Sequence, residues 1–122
     1  MSRRQTNLSP KATARGGRPR PSAVALDALI EEATIDAYGD EEQRTGLFTM
    51  IEEHLALPFE TEVLGLPVTV GQLDLTEAGE ILAICRRGRA RQAIPILELP
   101  LPEHPPDGAE WIEAYRRWAL GQ

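Results

Sequence analysis

Residues 81–99 read ILAICRRGRARQAIPILEL. Two apolar runs, Ile81 to Arg87 and Gln92 to Leu99, flank the turn Arg87-Gly88-Arg89-Ala90. Paired β-rich runs around a short Gly-containing turn read as a hairpin, and hence as part of an antiparallel sheet. Pro95 cannot donate to a ladder, which places part of the second run at a sheet edge. Working upstream, Val68, Val70 and Leu73 recur unevenly within 68–75, with Gly71 a candidate bulge between them. Phe59 to Leu66 reads as a further strand, with Pro67 as the break after it.

Outside this strand-rich centre the period changes to that of helices. Ser22 precedes Leu26, Leu29, Ile30, Ala33 and Ala37 at helical spacing, with Asp27, Glu31 and Glu32 off that stripe. Asp40 reads as the N-cap of a second helix, with Gln43 at the capping-box position. Its apolar face is Leu47, Met50, Ile51 and Leu55, and Pro58 marks its end. After the extended, proline-rich stretch 99–106, Asp107 is the expected cap of a last helix, Ala109 to Leu120. Trp111, Tyr115 and Trp118 fall on one side of that helix, as core residues do. The expected fold is α+β: two N-terminal helices, a small antiparallel, SH3-like sheet of four or five strands with a barrel-like curl, and a C-terminal helix.

Charge divides the chain further. Of 122 residues, 13 are Lys or Arg and 19 are Asp or Glu, a net charge of -6. The stretch 1–21 holds Arg3, Arg4, Lys11, Arg15, Arg18 and Arg20 and no acid. That leaves seven bases and all 19 acids for residues 22–122, a net -12. Within residues 22–62 there are 11 acids and one base, Arg44. The domain division expected is a disordered basic tail, 1–21, and one acidic α+β domain, 22–122. The tail has too few apolar side chains to offset its ordering entropy. Its Gly17-Arg18-Pro19 core is similar to a minor-groove AT-hook, and its arginines suit phosphate.

Several function classes are disfavoured. No run approaches eighteen apolar residues, and no secretory leader is visible, so a cytoplasmic protein without a membrane partner is expected. One cysteine, Cys85, and two histidines, His54 and His104, do not suit a thiolate or zinc site. Cys85 lies in an apolar strand with nothing to act as its general base, which reads as an inert buried thiol. Nothing in the sequence points to an enzyme.

The acids suit a hard cation, because calcium takes six to eight oxygen ligands. Asp36, Asp40, Glu41 and Glu42 gather where the first helix hands over to the second. Glu52, Glu53, Glu60 and Glu62 gather where the second helix hands over to the strands. Ten residues of helix separate Glu42 from Glu52, about 15 Å, which one ion does not bridge directly and which suits two separate sites. The spacing is not that of an EF-hand. The same acids also fit solvated helix faces and the favourable first turn of a helix.

The run Ile35-Asp36-Ala37-Tyr38-Gly39-Asp40-Glu41-Glu42-Gln43, with Gly46, Met50-Ile51-Glu52-Glu53 and Leu57-Pro58-Phe59 after it, resembles the cyanobacterial calcium-binding protein family, the CcbP type. The resemblance covers residues 33–62 and implies a small acidic cytosolic calcium buffer or sensor without EF-hands. It carries over Asp36, Glu41, Glu42 and Glu52 as candidate ligands, to which the local clusters add Asp40 and Glu53. The implied cofactor is Ca2+. The basic tail and the Arg86–Arg91 turn depart from that pattern. They support an alternative, a nucleic-acid-associated or protein-adaptor module.

Overall fold

The computed structural model describes residues 20–121. The chain folds as α1 (Ala23–Ala33), α2 (Asp40–His54), β1 (Phe59–Val63), β2 (Leu66–Leu75), β3 (Ile81–Arg87), β4 (Ala90–Pro95) and α3 (Ala109–Leu120). The expected α+β arrangement is present, with four strands. Residues 1–19 of the expected basic tail, including the AT-hook-like core, lie outside the described residues. Arg20 is described and reaches the Glu113 carboxylate at 3.3 Å.

The sheet is an antiparallel meander in the order β1-β2-β3-β4. β1 and β4 are its two edges. Gly71 is the bulge: Val70 pairs with Cys85 and Gln72 with Ile84, leaving one residue over. That extra residue explains the uneven apolar spacing, because it turns Val70 and Leu73, three apart, to the same buried face.

Two strand boundaries differ from the sequence expectation. The break after β1 falls at Leu64-Gly65, not at Pro67. Both turn residues have positive φ, 53° and 78°, the geometry of a type I′ hairpin. Pro67 instead sits inside β2 opposite Glu62, beyond Thr69, where pairing with β3 begins. Its missing N–H therefore removes no bond from the β2–β3 ladder. β4 starts earlier than expected, at Ala90, because the β3–β4 turn is only two residues long. Gly88 takes φ 61° as its first central residue. β4 ends at Pro95, as an edge strand bearing proline should.

α2 and α3 cover one face of the sheet, and α1 packs on those two helices. Leu47, Ile51 and Leu55 of α2 and Trp111, Ile112, Ala114, Tyr115 and Trp118 of α3 bury against Phe59, Val70, Leu73, Ile81, Ala83 and Cys85. Ile96 and Leu99, from the segment after β4, complete this cluster. At about 1.5–3 kcal/mol per large apolar side chain buried, this cluster dominates the stability of the fold. The stripe of α1 packs on its rim: Leu26, Leu29, Ile30 and Ala33 are half-buried and none is fully buried. α1 stops at Ala33, before the Ala37 expected in its stripe. The Thr34 hydroxyl donates to the Ile30 carbonyl at 2.7 Å, a local bond that competes with helix continuation.

Arginines next to the core are structural. Arg116 is half-buried and donates through Nε to Ile96 O at 3.1 Å, and through its terminal nitrogen to Ile96 O and Leu99 O. It thereby satisfies two carbonyls of the loop that closes the sheet onto α3. Arg117 pairs with Asp27 at 2.7 Å, tying α3 to α1.

Candidate functional site

The handover from α1 to α2 occupies residues 34–39. α2 needs a start here, and the cap lies one residue earlier than the sequence suggests. Gly39, with φ 110°, is the N-cap, and Asp40, Glu41 and Glu42 form the first turn. Three acids there are stabilised by the unpaired N–H groups and the helix dipole. Glu42 Oε1 accepts the Tyr38 N–H at 2.9 Å, so it fills the reaching-back role expected of Gln43. Gln43 turns to the core instead, where its Oε1 accepts from Trp118 Nε1 at 2.8 Å.

Gly46 sets how closely the two helices meet. A Cβ at this position would collide with the Ala33 carbonyl oxygen at the end of α1. The contact holds the end of α1, from which the 34–39 turn leaves, against α2. Asp36, Asp40, Glu41 and Glu42 are all exposed, as are Ile35 and Tyr38, the latter 88% exposed.

The second acidic group does not assemble. Glu52 and Glu53 sit exposed in the last turn of α2, on the helical side of the molecule. Glu60 and Glu62 alternate with the buried Phe59 and Thr61 along β1 and so point from the opposite face of the sheet. Thr61 faces inward and donates to Pro100 O at 2.6 Å. Among the described residues, no group of three or more His, Cys, Asp or Glu side chains is gathered in a form that could hold a metal ion.

What the acids share is the lack of a counter-charge. Glu31, Glu32, Asp36, Asp40, Glu41, Glu42, Glu52, Glu53, Glu60 and Glu62 are all exposed. None has an ion-pair partner among the described residues; the two pairs there are Arg20–Glu113 and Arg117–Asp27. Arg44, the lone base of residues 22–62, is turned away from them. Its guanidinium carbon lies 5.2 Å from the Trp118 ring centroid, a cation–π contact, and its head packs near Gly79. The sequence could not reveal this, since the contact joins residues far apart in the chain.

The remaining reactive groups are structural. Cys85 is buried, 3% exposed, and burial pushes its thiol pKa up, away from the reactive thiolate. His54 stacks on Trp111 with ring centroids 5.4 Å apart. Trp111, Tyr115 and Trp118 are core residues, as their spacing suggested. No helix among the described residues is long and apolar enough to cross a membrane. No known family model, curated protein or solved structure matches the chain.

Proposed function

We propose that the protein binds calcium through exposed carboxylates, without catalysis, and that the α1–α2 junction is where binding is strongest. The observation that carries this reading is the uncompensated acid: ten exposed carboxylates within residues 31–62, with the only local base held against Trp118. Such a surface concentrates cations by its summed field. The junction is favoured over the other end of α2 because Asp36, Asp40, Glu41 and Glu42 follow one another within a turn of backbone held by the Gly46 contact. Glu52 and Glu53 are separated from Glu60 and Glu62 by the sheet.

The junction is not a ready-made cage. Binding uses rotamer changes of exposed side chains around a fixed backbone, and water completes the coordination. This favours calcium over magnesium, since calcium accepts six to eight oxygens in flexible geometry while magnesium demands near-ideal octahedra and gives up its waters reluctantly. The resemblance of residues 33–62 to the cyanobacterial calcium-binding family supports the same reading, with a buffer or sensor role in the cytoplasm.

The test is thermal unfolding of the whole chain with calcium or magnesium. An ion bound only by the native state stabilises by about 2.7 kcal/mol at a hundredfold excess over Kd. For a domain of this size Tm should rise by roughly 10 °C. Glu42→Gln keeps a carbonyl acceptor for the Tyr38 N–H, so it should reduce the calcium-dependent rise without unfolding the junction. An unchanged Tm in millimolar calcium sinks the reading. An equal rise with magnesium would reduce it to diffuse screening.

A further inference from the structure

We propose that the β3–β4 hairpin is a binding surface for the phosphate backbone of nucleic acid. Arg86, Arg87, Arg89 and Arg91 are all exposed, and among the described residues none of their guanidinium groups donates a hydrogen bond or forms an ion pair. Arg86 and Arg91 are direct cross-strand partners. Like charges placed opposite each other destabilise a hairpin, whereas a threonine or an acid at either position would stabilise it. The sheet offers no relief along that row. Reading across, Glu60 pairs with Thr69, Thr69 with Arg86, and Arg86 with Arg91. The one acid in the row is two strands from Arg86, roughly 10 Å at the usual strand spacing, beyond ion-pair reach.

The chemistry of the tip selects the partner. All four bases are arginine, whose planar fork binds phosphate oxygens in pairs. The apolar residues among 86–93 are only Gly88, Ala90 and Ala93, so the tip has no large anchor of the kind that dominates protein–protein interfaces. Affinity for nucleic acid instead comes from neutralising phosphates. A two-stranded ribbon is also one of the two shapes that a DNA major groove admits. Arg86 and Arg91 lie on the sheet face away from the acidic helices, and the acids that share this face, Glu60 and Glu62, sit on the far edge strand, so the hairpin can approach a polyanion tip first. Because residues 22–122 carry a net -12, binding is confined to this tip and is steeply salt-dependent. The inference is independent of calcium binding.

The experiment measures fluorescence anisotropy of a labelled mixed-sequence DNA duplex and of a single-stranded RNA with the whole chain, between 50 and 200 mM salt. Wild type should bind both at low salt and lose affinity as salt rises. Replacing Arg86, Arg87, Arg89 and Arg91 with Gln should weaken binding at least tenfold at 50 mM salt. It should also flatten the slope of log affinity against log salt by roughly 3, about 0.9 per lost phosphate contact. If that variant does not fold, Arg87→Gln with Arg89→Gln carries the test, since neither faces a like charge. Arg91→Thr should weaken binding while leaving Tm equal or higher. The proposal is overturned if the hairpin variants bind like wild type, which would assign binding to residues 1–20. It is equally overturned if wild type binds neither probe at 50 mM salt, or if polyglutamate competes as well as the duplex.

Discussion

The acidic α1–α2 region and the basic β3–β4 hairpin are both exposed single-sign surfaces, yet they are held in opposite ways. The acidic junction depends on tertiary packing. Its helices meet at Gly46, where only hydrogen fits beneath the Ala33 carbonyl, and their apolar sides rest on the shared core. The hairpin depends on local turn chemistry. Gly88 meets nothing within 4 Å of a built Cβ, and its requirement is solely its φ of 61°. A charged surface built on packed helices has a fixed backbone and mobile side chains, which suits capture of a small ion. One built on a protruding turn suits contact with an extended partner.

Gly46→Val against Gly88→Ala is the strongest way to break this comparison. Valine at position 46 must push α1 away from α2, with an expected loss of about 3 kcal/mol in denaturant unfolding. Alanine at position 88 faces only the left-handed backbone penalty, about 1 kcal/mol. Equal losses at the two glycines would mean that the junction is no more packed than the turn.

A second test uses the other hairpin. Leu64 is 96% exposed and takes φ 53° next to Gly65. Leucine is a poor choice there, because the first position of a type I′ turn favours Asn, Asp or Gly. Leu64→Asn should therefore stabilise the protein by about 0.5–1 kcal/mol in the same assay. No gain would show that the turn is held by more than its local geometry.

The smallest effects separate paired from unpaired acids. Arg117 hydrogen-bonds Asp27 and holds its carboxyl pKa below the ordinary value. A lowered folded pKa contributes stability that is present above the unfolded pKa and is lost as pH falls through the folded value. Asp27→Asn should lower Tm slightly at neutral pH, and the difference from wild type should vanish in acid. Glu52 lies in the last turn of α2, the negative end of the helix dipole, with no Lys or Arg in that turn. Glu52→Gln should raise Tm by about 1–2 °C at low salt, less at high salt. A fall in Tm for Glu52→Gln would reveal a counter-charge for that acid and weaken the calcium reading with it.

The elements themselves were legible in the sequence because their signals are local. The Ser22 side chain accepts the Ala25 N–H at 3.1 Å and starts α1, as a serine before an apolar stripe should. The uneven Val70 and Leu73 spacing announced the Gly71 bulge, and the Trp111, Tyr115, Trp118 stripe announced a buried helix face. Errors fell at element boundaries, at the ends of β1, β4 and α1 and at two helix caps. Gly39 and Gly108 take the N-cap positions expected for Asp40 and Asp107. At Gly108 the reason is non-local, since a Cβ there would strike the His54 carbonyl at the end of α2.

For the candidate site the sequence alone determined the inventory: which residues are acidic, how many there are, and that one base stands among them. Only the tertiary structure decided their grouping. The alternation along β1 sends Glu60 and Glu62 to the face away from the helices, so they cannot join Glu52 and Glu53. Arg44 lies over Trp118, 74 positions later in the chain, because burying its stem against an aromatic face outweighs an exposed ion pair screened by water and salt. Charge is a property of each residue and can be counted along the chain. Which charges meet depends on strand pairing and helix packing, and those are fixed by contacts between residues far apart in sequence.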